Sequence, residues 1–162
     1  MGYARGDKRT HLRAVVLDNL RSAYNAGSII RTVSALNYDS VALCGVTITP
    51  PSDKLKKTSR CLDEKVNWTY YKTTEEAVLK YREENYKVFA LEVMDGSMLI
   101  TDLPKTEKIA WVVGNEALGI DQNILKLCDA VYHLPMLNNL EGINVSCAFS
   151  SVAFFEHLKY ST

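Results

Sequence analysis

Two apolar segments near the C-terminus each stop at a small or rigid residue and pass into a polar loop. That pairing limits what the chain can fold into. One segment reads IAWVVGNEALGI, Ile109 to Ile120, and the other AVYHLPMLNNLEGINVSCAF, Ala130 to Phe149. The β-type runs end at Gly114 and Pro135, and a helix-like stretch follows each loop. In an open α/β sheet, ligands bind in the crevice beyond the carboxyl ends of the strands. Two such loops, carrying Asn115, Glu116 and Asn144, are therefore expected to wall one site.

The rest of the chain repeats the same alternation. AVVLDNL (14–20) is β-type, and from Asn25 the apolar residues Ile29, Ile30, Val33 and Leu36 take helical spacing, closed by a turn at Asn37-Tyr38-Asp39. SVALCGV (40–46) is a second strand, halted by Pro50 and Pro51, and the charged residues 52–67 read as an irregular surface loop. Thr73 and Glu76 have capping-box spacing and predict a helix through Tyr86. YKVFALEV (86–93), IAWVVG (109–114) and AVYHLP (130–135) give three more strands. Asp121 caps a short helix between the last two, and a final helix runs from about Val145 to Lys159. Strands alternating with helices imply parallel β-α units in a three-layer α/β sandwich with a mostly parallel sheet.

At 162 residues one domain spanning 1–162 is expected, with a basic arm over about residues 1–12. The longest apolar runs are far too short to cross a bilayer, so no membrane partner is expected. No apolar stretch of signal-peptide type follows the N-terminus, and a cytoplasmic protein is expected. Cys44, Cys61, Cys128 and Cys147 lack CxxC spacing and read as buried free thiols. His11, His133 and His157 are scattered, so no metal is expected.

The formal net charge of zero argues against wholesale polyanion binding, but the charge is unevenly placed. Arg5, Lys8, Arg9 and Arg13 crowd the first thirteen residues, and Lys54, Lys56, Lys57 and Arg60 form a second cluster. Either is a solvated surface or part of a local phosphate-binding face. The chain has neither GxxxxGK[ST], nor GxGxxG after the first strand, nor GxSxG. A P-loop, an ordinary dinucleotide site and a serine-hydrolase elbow are thereby disfavoured.

In LDNLRSAYNAGSIIRT, Asn25 and Arg31 stand at the mouth and second turn of the predicted helix. Arg31 is either a surface residue or a guanidinium able to hold phosphate or stabilise an oxyanion. Glu116 in GNEALG is either a helix cap or a site carboxylate. The loop LPMLNNLEGINVS offers free backbone N–H and C=O groups of the kind that recognise a purine edge.

Taken in order, N-x-G-x-x-x-R-T, G-N-E-x-x-G-I and L-P-M-x(6)-G-I-N-V-S-x-A resemble the three motifs of the SpoU/TrmH family, RNA ribose 2′-O-methyltransferases of the SPOUT class. The resemblance runs from about Arg9 to Glu156. It implies an α/β fold with a C-terminal trefoil knot, a rare exception to unknotted topology, and a homodimer built through the knot. It also implies S-adenosylmethionine as cofactor, held at Leu91, Gly114, Leu134 and Ile143 with Gly142 adjacent. Asn25, Arg31, Glu116 and Asn144 match the family's catalytic-site polar positions, with Arg31 stabilising the developing alkoxide. RNA is the implied partner, with tRNA favoured over rRNA. Three departures stand out: Gly142 where the motif carries serine, no glycine after Pro135-Met136, and Cys61 where glycine is common. Gly142 and the altered loop motivate the competing reading, a non-catalytic knotted RNA-binding module. A small-molecule enzyme of general α/β type is a more distant third.

Overall fold

The computed structural model describes residues 11–137 and 142–160. Arg5, Lys8 and Arg9 of the expected basic arm, and most of the loop 137–141, lie outside the described residues. Seven parallel strands form one sheet in the order β3-β2-β1-β6-β4-β7-β5. They are β1 (Leu12–Asp18), β2 (Ser40–Cys44), β3 (Trp68–Tyr71), β4 (Lys87–Leu91), β5 (Met98–Leu99), β6 (Lys108–Val113) and β7 (Ala130–His133). The helices are α1 (Ala23–Leu36), α2 (Asp53–Ser59), α3 (Thr74–Glu83), α4 (Gln122–Leu127) and α5 (Val145–Tyr160).

The sheet is coated on both faces, because alternate residues of each strand point to opposite sides. Val15, Leu17, Val41, Leu43, Ile109, Trp111 and Val113 are buried with Ile29, Ile30 and Val33 of α1, Leu55 of α2 and Phe149 and Val152 of α5. The intervening residues Ala14, Val16, Ala42, Ala110 and Val112 are buried with Ala77, Val78 and Tyr81 of α3 and Ile124 and Leu125 of α4. The three-layer expectation is met.

The route of the chain creates the crevice. From β1 it steps outward to β2 and β3, then returns past β1 to lay down β4, and β6 later fills the slot between β1 and β4. The strand order therefore reverses direction beside β1, and ligand crevices form at such a point. Beyond β4, β7 carries the chain into α5, which packs against α1.

Four expectations need correction. Residues 52–67 are not all irregular: Ser52 accepts the Leu55 amide and opens α2. With Leu55 the one fully buried aliphatic of that helix, periodicity could not reveal it; packing against α1 does. Helix α3 stops at Glu83, not Tyr86, because Asn85 turns left-handed (φ 64°) and the Tyr86 amide bonds the Tyr81 carbonyl. Cys61 and Cys147 are exposed, one in the turn after α2 and one in the first turn of α5. Cys44 is buried and Cys128 half-buried, and burial pushes both thiols up to about 12.

Arg13, fourthly, is not part of a phosphate-binding face. Its guanidinium pairs with the Glu156 carboxylate, and its side chain is only 11% exposed. The other Glu156 oxygen accepts the Trp111 indole N–H at 2.7 Å. One buried carboxylate thus joins β1, β6 and α5. Removing one partner from such a buried group costs about 3–5 kcal/mol.

Candidate active site

The loops after β4, β6 and β7 and the N-termini of α1 and α5 surround a cavity of about 600 Å³. That is within the size range of small-molecule and cofactor sites. Leu91, Gly114, Leu134, Gly142 and Ile143, five residues from four separate parts of the sequence, all line it, and so do Asn25, Glu116 and Asn144.

Backbone geometry at Gly114 makes the wall. A Cβ there would lie 2.7 Å from the Gly119 carbonyl carbon and 2.8 Å from the Ile120 nitrogen. The loop 115–119 folds back directly over the strand end, and any side chain at 114 would push it off. Asn115 stabilises the fold-back. Its Oδ1 accepts the amides of Ala117 and Leu118, while its Nδ2 donates to the Asn19 carbonyl beyond β1.

Glu116 then reaches to the start of α1. Its Oε1 accepts from the Asn25 Nδ2 at 2.9 Å and the Ser22 amide at 3.2 Å, and its Oε2 from the Arg21 amide at 3.3 Å. Glu116 therefore caps α1, not the helix that follows it in sequence, and Ser22 completes the cap by accepting the Asn25 amide. A carboxylate beside free N–H groups at a helix N-terminus is electrostatically favourable. Partial burial raises the Glu116 carboxyl. Hydrogen bonds from Asn25, from its own amide and from the Arg21 and Ser22 amides outweigh that effect, and it sits below its ordinary value.

From Asn25 the hydrogen bonds continue in one direction. Its Oδ1 accepts the Asn144 Nδ2 at 3.0 Å, and the Asn144 Oδ1 accepts the Ser146 amide at 2.9 Å and the Ser146 hydroxyl at 2.6 Å. The ionised Glu116 has only acceptors, so it fixes which way the Asn25 carboxamide points, and Asn25 fixes Asn144 in turn. Each carboxamide retains one further N–H for a ligand. Asn144 also caps α5. The relay therefore brings the N-termini of two helices to one rim of the cavity.

Arg31 is not brought to this cluster within one chain. Six residues beyond Asn25 place it about 9 Å along the helix and about 240° around it. It is exposed, and among the described residues it makes no hydrogen bond or ion pair. Glu92 and His133, neither of them expected at the site from sequence, also line the cavity. Glu92 accepts the Ile120 amide at 3.1 Å, tying the end of β4 to the loop after β6. Both follow or end strands that the sequence does show, so the strand-end rule would have found them.

Comparison with known proteins agrees with this geometry. Residues 13–154 match the model of the SpoU rRNA methylase family. The chain is 24% identical over 150 residues to a 23S rRNA (guanosine(2553)-2′-O)-methyltransferase of Bacillus subtilis, covering 93% of this chain and 59% of that protein. It is 23% identical to a tRNA (guanosine(18)-2′-O)-methyltransferase of Thermus thermophilus, covering 86% and 71% respectively. An AdoMet-bound rRNA methyltransferase from Sinorhizobium meliloti superposes with a TM-score of 0.83 at 21% identity, covering 92% of this chain and 57% of that one. The chain spans 44–59% of the length of the first curated relatives it matches.

Proposed function

The chain belongs to the SpoU rRNA methylase family, and from that premise we propose that it transfers a methyl group from S-adenosylmethionine to a ribose 2′-hydroxyl of RNA. The observation that carries this reading is the Glu116–Asn25–Asn144 relay, held at the rim of a cavity that all five expected cofactor positions line. The cavity fits the cofactor's chemistry. Leu91, Leu134 and Ile143 offer apolar surface for a purine, and the strand-end loops offer backbone groups for its edge.

The cofactor supplies a methyl group bonded to a sulfonium sulfur. Transfer needs the ribose oxygen held in line with that bond and a path for the hydroxyl proton. Asn25 and Asn144, their orientations locked by Glu116 and by the start of α5, serve as alignment groups through their remaining N–H donors. Arg31 stabilises the developing alkoxide electrostatically. A guanidinium stays protonated far above neutrality, so the proton passes to water or an RNA phosphate instead.

Arg31 stands apart from the cavity of its own chain, and this supports a homodimer in which it serves the neighbouring subunit's site. Phe154 and Leu158 of α5 are 46% and 67% exposed and give such a dimer an apolar face. We propose in addition that the segments around β6 and β7 form the family's trefoil knot. Supporting this, α5 leaves the far side of the sheet and returns to pack on α1.

Calorimetry with S-adenosylhomocysteine, paired with tritium transfer from labelled S-adenosylmethionine to tRNA and rRNA, tests the reading. One product bound per chain and RNA labelling that periodate-resistant ribose analysis assigns to the 2′-oxygen are expected. Binding of product without labelling of any RNA would favour the non-catalytic knotted module. No binding at millimolar product would overturn the transferase reading.

A further inference from the structure

Helix α2 is short and strongly basic, and it packs against the N-terminal half of α1, the helix whose first turn carries Asn25. The Thr58 hydroxyl donates to the Ala23 carbonyl at 2.8 Å. The two helices cross at Gly27, where a Cβ would lie 2.2 Å from the Thr58 Oγ1 and 2.8 Å from the Ser59 amide nitrogen. Contact this close places the solvent side of α2 beside the first turn of α1. In that turn Tyr24 is 69% exposed, next to Asn25 of the relay.

The charges on this surface are not neutralised. Lys56 pairs with Glu64 at 2.7 Å, whereas Lys54, Lys57 and Arg60 are exposed and, among the described residues, form no ion pair. Arg21, just before α1, is likewise exposed, and among the described residues its guanidinium forms no ion pair. Asp53 is the one exposed acid within α2 itself. Lys54 precedes Lys57 by three residues and Thr58 by four, so the two lysines are neighbours on the helix surface and Lys54 borders the hydroxyl that touches α1. An exposed aromatic ring on one helix with unpaired cations on the helix packed against it suits single-stranded nucleic acid, bases stacking on the ring and phosphates meeting the charges.

We propose that Tyr24 is a stacking platform for an RNA base at the mouth of the site, and that Lys54, Lys57 and Arg60 hold the phosphates leading to it. The inference rests on the RNA methyltransferase reading and adds which surface guides the RNA strand. It explains why a chain of zero net charge can select RNA: the cations are concentrated where the strand enters. Stacking requires only a π-face, so the Tyr24 hydroxyl is dispensable.

Fluorescence anisotropy with labelled, unfractionated tRNA, repeated across a salt series, tests the surface on the intact chain. Tyr24→Ala should weaken binding by about 5- to 150-fold, the span measured for losing one base–aromatic stack. Tyr24→Phe should bind like wild type, and Tyr24→Leu like the alanine variant. The double variant Lys54→Gln/Lys57→Gln should lower the slope of log K against log salt by about 1.4, from roughly 0.7 per single-strand phosphate contact. Product affinity should be unchanged in all of them.

Wild-type affinity in Tyr24→Ala, or an unchanged salt slope in the double variant, would overturn the proposal. So would a Tyr24→Ala protein that turns monomeric, which would assign the ring to a subunit contact. Wild-type protein that binds tRNA and responds to these variants yet methylates no RNA would overturn the activity reading and leave this one standing. Wild-type protein that binds product but no tRNA would overturn this one alone.

Discussion

Replacing Asn25 by aspartate changes one atom of the relay and should cost more than its size suggests. The Nδ2 that now donates to Glu116 at 2.9 Å becomes an oxygen, setting two carboxylates against each other. At that separation the repulsion is about 1.4 kcal/mol at the dielectric of water and about 6 kcal/mol at an effective value of 20. Asn25 is buried and Glu116 exposed, so the cost falls between these limits. It is capped by the alternative of protonating one carboxyl at neutral pH, which costs about 4 kcal/mol. We expect a loss of about 3–4 kcal/mol at pH 7.5, or a fall in Tm of about 6–15 °C for a chain of this size.

The sign of the pH dependence separates this cause from a simple packing defect. In wild type the Glu116 carboxyl is held below its ordinary value, so its contribution is present above that value and lost as pH falls through the folded one. In the variant the shared proton raises the folded value of the pair above the unfolded one. Its penalty is then absent at low pH and grows as pH rises. Urea denaturation of both proteins between pH 4.5 and 8 measures the difference. A variant within about 0.5 kcal/mol of wild type at pH 7.5, or a deficit that does not shrink on acidification, would refute the relay as an energetic unit.

Three further outcomes are expected. Arg31→Ala should leave fold and product affinity nearly unchanged and slow single-turnover RNA methylation by about 100-fold or more, with Arg31→Lys a poor substitute because a point charge lacks the guanidinium fork. Among the described residues no atom lies within 4 Å of a Cβ added at Gly142, so Gly142→Ser should fold with a stability change within about 0.5 kcal/mol, and calorimetry will show product binding at least as tight as wild type. Glu156→Ala strands both the Arg13 guanidinium and the Trp111 indole N–H, and urea unfolding should show a loss of about 3–5 kcal/mol.

Local chemistry alone determined a large part of this protein. Residues 109–114 and 130–133 are β-rich, and glycine or proline must end such runs, so the two strand ends and their loops were readable without coordinates. So were α1 and its closure at Asn37, whereas the positions that line the cavity came from the resemblance of three ordered motifs to the SpoU/TrmH family. Three kinds of fact were decided only by tertiary structure. Helix α2 has one fully buried aliphatic and exists because Gly27 lets it lie against α1. Edge strands β3 and β5 are too short for periodicity to show, and they form on neighbours distant in sequence. Partner choice among charges was invisible as well: Arg13 faces Glu156 across 143 positions, and Glu116 caps a helix that begins 93 residues before it, not the helix that follows. Sequence fixes which groups are able to donate or accept. Only the folded chain decides which of them meet, because burial forces each polar group to find a partner wherever the topology has brought one.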